Sequence, residues 1–172
     1  MGRVVTASVR MASFGDGDAV FKLMRIHKLE VVRYPTPPRD STQSRFGPQS
    51  TSILSPKVSD LETAIRRLDR DEWPYVWLHT SEPLKDEFPN NMLEVMGGRG
   101  EFAITLYKDG DEICYVDDSR RNQGDYIEIW ESDQGRDVIP WGLCNDLATV
   151  LDIVGYFNGH SALSPKYTWK TN

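Results

Sequence analysis

Histidine and cysteine are scarce in this chain of 172 residues, with three of the first and two of the second. His27, His79 and His160 lie far apart, and none has another His or a Cys at the short spacing of a zinc site. No metal and no cofactor are therefore expected. Cys114 and Cys144 each sit inside an apolar pattern, which reads as two buried free thiols of a reducing cytoplasm. No apolar run approaches the ~20 residues of a membrane span. Met1–Arg10 has no apolar block followed by small residues, so a cytoplasmic location is expected. Repeats are absent, as are a Gly-x-Ser-x-Gly elbow and a recognisable Cys–His pair. Met96-Gly97-Gly98-Arg99-Gly100 lacks the Lys-Ser/Thr ending of a phosphate loop and leads into no helix, so it reads as a tight turn. A basic excess is missing too: 20 Lys and Arg stand against 26 Asp and Glu, a net charge of −6. A general nucleic-acid binder would carry the opposite sign.

What the sequence does have is uneven charge. Residues 1–58 carry nine Lys and Arg against four Asp and Glu, a balance of +5. Residues 59–137 carry nine against twenty, a balance of −11, and the last 35 residues are balanced. A block of one sign is either a solvated face or a surface that attracts something basic and speeds encounter.

Hydrophobic periodicity divides the chain. Val4–Val9, Val20–Ile26 and Leu29–Tyr34 are rich in β-branched and apolar residues, with a turn signal at Gly15–Asp18, so a hairpin is expected there, although Val20, Leu23, Met24 and His27 also fit a helical spacing. Five prolines among Ser, Thr and Gln between Pro35 and Pro56 read as a long loop. Residues 1–57 thus form an N-terminal β-rich extension, and residues 58–172 the main domain, the two making one compact unit. Ser59-Asp60-Leu61-Glu62 has capping-box spacing, and Leu61, Ala64, Ile65 and Leu68 form the apolar stripe of a helix that ends before Trp73-Pro74. Strands follow at 75–79 and 92–96, with Leu93 and Val95 on one face and Glu94 on the other. The loop between them, 82–91, carries Pro83 and Pro89. Phe102, Ile104 and Leu106 share a face of the next strand, and Asp109-Gly110 turns it into a partner at 113–116. Residues 125–131 alternate again, with Ile127 and Ile129 inward and Glu128 and Trp130 outward, before a turn at 133–135 and a short strand at 138–139 that Pro140 stops. Leu143, Leu147, Val150, Leu151, Val154 and Phe157 mark a second helix closed by Gly159, and Tyr167–Trp169 a last strand. The expected fold is α+β: an antiparallel meander sheet packed against two helices, with the N-terminal extension.

Candidate chemistry is thin. Asp111 with Glu112, Asp117 with Asp118, and Glu128 with Glu131 are paired carboxylates, the residue type of general acid–base work. A small enzyme using two of them is one reading; solvated strand ends are the plainer one. Of five tryptophans, Trp73 and Trp77 flank a strand and read as packing residues, and Trp141 and Trp169 as core anchors. Trp130 differs, because alternation puts it beside Glu128 and Glu131. An aromatic ringed by acid has the composition of a protein-interface hot spot.

The order of these features over about residues 58–169 resembles the bacterial polymorphic-toxin immunity proteins of the first-numbered immunity family, which are associated with deaminase toxins. The resemblance runs through Leu61-Glu62-Thr63-Ala64-Ile65, Leu93-Glu94-Val95-Met96-Gly97-Gly98, an Asp- and Tyr-rich strand pair, Val138-Ile139-Pro140 before an apolar helix, and Tyr167-Thr168-Trp169-Lys170. It implies a protein that is not an enzyme and binds a cognate toxin domain, blocking its active site. Such a domain attracts nucleic acid and is basic at its rim. Strand parity and charge nominate Asp117, Asp118, Glu128 and Glu131 as charge contacts, and Tyr126 and Trp130 as anchors. The partner is then a basic protein, with no nucleic acid and no membrane. An adaptor domain for a different basic protein is the third reading.

Overall fold

The computed structural model describes residues 26–36, 47–81, 91–122, 124, 126–129 and 136–172. The expected strands at 4–9 and 20–25, the turns at 15–18 and 133–135, and the loop at 82–90 lie outside the described residues. In chain order the strands are β1 (Lys28–Arg33), β2 (Gln49–Leu54), β3 (Tyr75–His79), β4 (Met92–Gly98), β5 (Glu101–Lys108), β6 (Asp111–Val116), β7 (Ile127–Ile129), β8 (Arg136–Val138), β9 (Leu143–Cys144) and β10 (Thr168–Thr171). Helix α1 (Val58–Arg67) separates β2 from β3, and α2 (Leu147–His160) separates β9 from β10. The architecture is α+β: an eight-stranded antiparallel sheet with two helices.

The sheet runs β10-β6-β5-β4-β3-β1-β2, with β9 added to β5. Strands β3 to β6 are the expected meander. Two of its turns are two-residue loops with both residues at positive φ: Arg99-Gly100 (54° and 87°), closed by Gly98 and Glu101, and Asp109-Gly110 (54° and 89°), closed by Lys108 and Asp111. That is the backbone that matches the twist of the strands it joins.

Two expectations change. The proline-rich segment 35–56 was expected to be a loop throughout, but Gln49–Leu54 is a strand that pairs along β1 from Arg33↔Gln49 to Lys28↔Leu54. Short polar residues with little strand preference of their own take that form because β1 offers a ladder. The segment around Ile127 does not continue the meander either: among the described residues β7 pairs with β8 alone, as a separate two-stranded ribbon, and β10 occupies the edge of β6 instead.

Helix α1 starts one residue before its expected cap. Lys57 is the cap residue, and its backbone N–H donates to the Asp60 carboxylate at 2.8 Å. Asp60 does the reach-back expected of Glu62, satisfying a donor that the helix cannot. The α1 stripe buries Leu61, Ala64 and Ile65 as expected. In α2 the Asp146 carboxylate caps the amides of Ala148 and Thr149, both at 3.1 Å. Gly159 does not close the helix; it lies within it, and Ser161 ends α2 in the left-handed conformation at φ 49°. Both helices cover one face of the sheet. Leu29, Val76, Leu78, Leu93, Ile104 and Leu106 pack there against Leu61, Ile65, Val150, Ile153 and Phe157 in one continuous buried cluster. At ~25 cal/mol per Å² this burial is the main driving force of folding.

The glycines that end β4 bring the chain leaving α1 against the sheet. Asp69 bridges Gly98 as an isolated antiparallel pair, and Arg70 N–H donates to the Gly97 carbonyl at 2.9 Å. A Cβ on Gly98 would stand 2.4 Å from the Leu68 carbonyl oxygen, at φ +130°. Gly98→Ala is therefore expected to cost on the order of 2–4 kcal/mol from clash and strain together. Gly100→Ala, at φ +87° with open space around the site, should cost only about 1 kcal/mol. Urea denaturation of both variants measures the difference.

Candidate functional site

The face of the sheet away from the helices is the candidate site. Backbone alternation brings Glu30, Trp77, Glu94, Thr105, Cys114 and Lys170 into one row across six strands, since these residues are register partners in turn. The sequence places Glu94 opposite Leu93 and Val95, and that parity holds, yet Glu94 is only 2% exposed. Its carboxylate accepts the Trp77 Nε1–H at 2.8 Å and the Tyr107 hydroxyl at 3.2 Å. A buried carboxylate is tolerated only with such donors. Beside it, Lys28 Nζ lies 2.7 Å from the Glu30 carboxylate, and His79 Nε2 lies 3.8 Å from the same group.

The ribbon packs over this face. Ile127 of β7 and Val138 of β8 are half-buried against a second cluster formed by Val32, Tyr34, Tyr75, Met96, Ala103 and Leu143. Ile127 is thus inward, as its alternation predicts. The register Ile127↔Val138, Glu128↔Asp137, Ile129↔Arg136 puts the Glu128 and Asp137 positions directly opposite one another, on the ribbon face away from Ile127 and Val138.

Asp117 and Asp118 open the single turn of 3-10 helix at Asp118–Arg120 between β6 and the ribbon. Asp117 is half-buried and caps that turn: its Oδ1 accepts Ser119 N–H at 3.0 Å and the Ser119 hydroxyl at 2.6 Å. Asp118 is exposed and sits 3.1 Å from Arg121. Tyr126 is 70% exposed, the most exposed large aromatic among the described residues. Trp130 and Glu131 lie outside the described residues. Tyr126 and the Glu128 position lie next to and within β7, while Asp117 and Asp118 belong to the 3-10 turn after β6, where the Asp117 N–H donates to the Trp141 carbonyl.

A cavity of about 170 Å³ opens next to them, between the sheet and the chain that leaves β8. Thr105 and Cys114 lie on its sheet side, Val138, Ile139 and Trp141 on its ribbon side, and Tyr126 at its mouth. Sequence reasoning misses this cavity. Its one local signal is Val138-Ile139-Pro140-Trp141, where Pro140 begins a 3-10 turn that carries Trp141 back toward β6. Cys114 is half-buried, not buried as expected; the Asn172 amide donates to its sulfur at 3.3 Å. Cys144 is buried and free, and burial raises its thiol pKa above the ordinary value. None of the described lining residues is a carboxylate, a histidine or a cation. Among the described residues no three His, Cys, Asp or Glu side chains gather as a metal site, and no helix is long and apolar enough to cross a membrane. Tyr126 stands at its edge as an exposed aromatic.

No protein-family model matches this chain, and no curated protein is significantly similar to it.

His79 has a strongly displaced pKa. Burial lowers it to about 4, the nearby Lys28 charge adds to that, and Glu30 opposes it without prevailing. The residue is 4% exposed, and its Nε2 has no hydrogen-bond partner among the described groups. The native state therefore keeps His79 neutral while the unfolded chain protonates it near 6.5. The unfolded state binds the extra proton between those values, so stability from this group is complete above pH 6.5 and falls as pH drops toward about 4. The loss approaches ~3 kcal/mol at the acid end. Urea midpoints across pH 7 to 4 should fall, and His79→Asn should flatten that fall.

Proposed function

We propose that this protein is a binding protein of the immunity type, which captures a basic toxin domain on the acidic ribbon side of its sheet and blocks that domain's active site. The observation that carries this reading is Tyr126, 70% exposed at the edge of the cavity beside the ribbon and set in the most acidic stretch of the chain. Asp118 in that stretch is exposed as well, so charge for steering and an aromatic for anchoring are both open to a partner. A nucleic-acid deaminase fits as the partner, since its active-site rim must hold phosphates and is basic. The chain would act in the bacterial cytoplasm, where such a toxin has to be neutralised.

The deciding experiment is co-expression with the product of the adjacent reading frame. A product that is toxic alone, harmless in company and co-purified with this chain supports the reading. Absence of both complex and protection sinks it. Within a complex, joint replacement D117N, D118N, E128Q and E131Q should slow association about tenfold or more at low salt, with little change in dissociation. Stopped-flow binding at two ionic strengths measures this; Asn at 117 keeps the capping oxygen, so folding is spared. Loss of turnover at one or two carboxylates would point to the enzymatic alternative instead.

A further inference from the structure

The cavity beside Tyr126 arises where strand β5 changes partner. Thr105 pairs with Cys114 of β6, while Ala103, two residues earlier, pairs with Leu143 of β9. Strand β6 has to leave β5 for β9 to take its place, and the two diverge. The residues that border the gap on the sheet side, Ala103, Thr105 and Cys114, are all small. Protein interiors are otherwise close-packed, so small side chains around a divergence leave space. The opposite wall is held in position. The Trp141 carbonyl accepts the Asp117 N–H at 2.5 Å, and Lys170 Nζ lies 5.0 Å from the Trp141 ring centroid, a cation–π contact that orients the indole.

We infer that this cavity is a binding site for a small neutral aromatic molecule of the phenol class, one ring bearing one hydroxyl. Its volume of about 170 Å³ admits a single ring, since a cavity of about 150 Å³ suffices for benzene. Trp141 supplies a flat aromatic wall against which a ring packs. Thr105 and Cys114 make one polar edge, with Thr105 Oγ1 3.7 Å from the sulfur, where a ligand hydroxyl exchanges hydrogen bonds with the threonine. None of the described lining side chains is charged, so an entering carboxylate or ammonium would lose its water without gaining a counter-charge. Water held by so few polar groups is displaced by a ring at a gain in affinity. Binding here needs no protein partner, so the inference stands apart from the immunity reading.

Titration of the full chain with p-cresol tests the assignment. Amide shifts of residues 103–105, 114 and 138–142 should move together and saturate in the millimolar range or below. Alkylation of Cys114 by iodoacetamide, followed by peptide mass spectrometry, should slow several-fold at saturation. Benzoate should bind about tenfold more weakly than p-cresol, or worse. The wild type should prefer p-cresol to toluene, and Thr105→Val, which keeps the shape without the hydroxyl, should lose that preference. Cys114→Leu, which fills the space, should abolish binding; the wild-type alkylation and the Thr105→Val comparison do not depend on its folding. No saturable shift and no protection of Cys114 up to the solubility limit of p-cresol overturns the inference. So does benzoate binding as tightly as p-cresol, a preference for p-cresol that survives Thr105→Val, or binding that survives Cys114→Leu.

Discussion

Strand β4 is buried along its whole length, and that single condition organises the molecule. A strand hidden on both sides needs cover on both faces of its sheet, and the chain supplies it by two different means. On the Leu93 and Val95 side the cover is apolar, a pair of helices whose stripes meet the sheet in one large cluster. On the Glu94 and Met96 side it is mixed: the ribbon contributes Ile127 and Val138, and a network of Trp77, Glu94 and Tyr107 satisfies the polar groups that burial would otherwise strand. The glycines that end β4 belong to the same condition. Without side chains at 97 and 98, the chain leaving α1 closes onto the strand and finishes the helix layer.

This division of labour explains where recognition can reside. The helix side is closed by hydrophobic packing and offers little that is specific. The ribbon side is a thinner layer, two three-residue strands over a polar network, with a cavity at its border and Tyr126 projecting beside it. Small layers held by few apolar contacts are the parts of a fold that adapt most cheaply to a partner.

Legibility followed the range of the interaction behind each feature. The Asp109-Gly110 hairpin, strand 75–79 and the α1 stripe are encoded within a few residues of one another, and all three appear where their patterns place them. Strand β2 is encoded mainly by β1, some twenty residues earlier in the chain, so Gln49–Leu54 looks like loop when read alone. Alternation correctly turns Ile127 inward and Glu94 away from Leu93, because parity is local. It says nothing of what lies beyond each face, so neither the burial of Glu94 nor the separate ribbon was visible. At the candidate site, exposure of Asp118 and Tyr126 agrees with their polar setting. Asp117 does not stand free, and the Asp-x-Ser spacing from 117 to 119, an Asx-turn signal, was the clue to its capping role.

The uneven charge acquires a spatial meaning from the strand order. Strands β1 and β2 come from the basic first third and lie at one end of the sheet, while β5 and β6 come from the acidic stretch and lie toward the other. Within the acidic stretch much of the charge is spent locally: Arg70 pairs with Glu101, Arg99 with Asp71 and Arg121 with Asp118. Such exposed or half-exposed pairs contribute little stability each. Their effect is to quieten the centre of the molecule. A chain of modest net charge thereby carries a directional one along the sheet, and direction, more than total charge, governs how an approaching charged molecule is oriented.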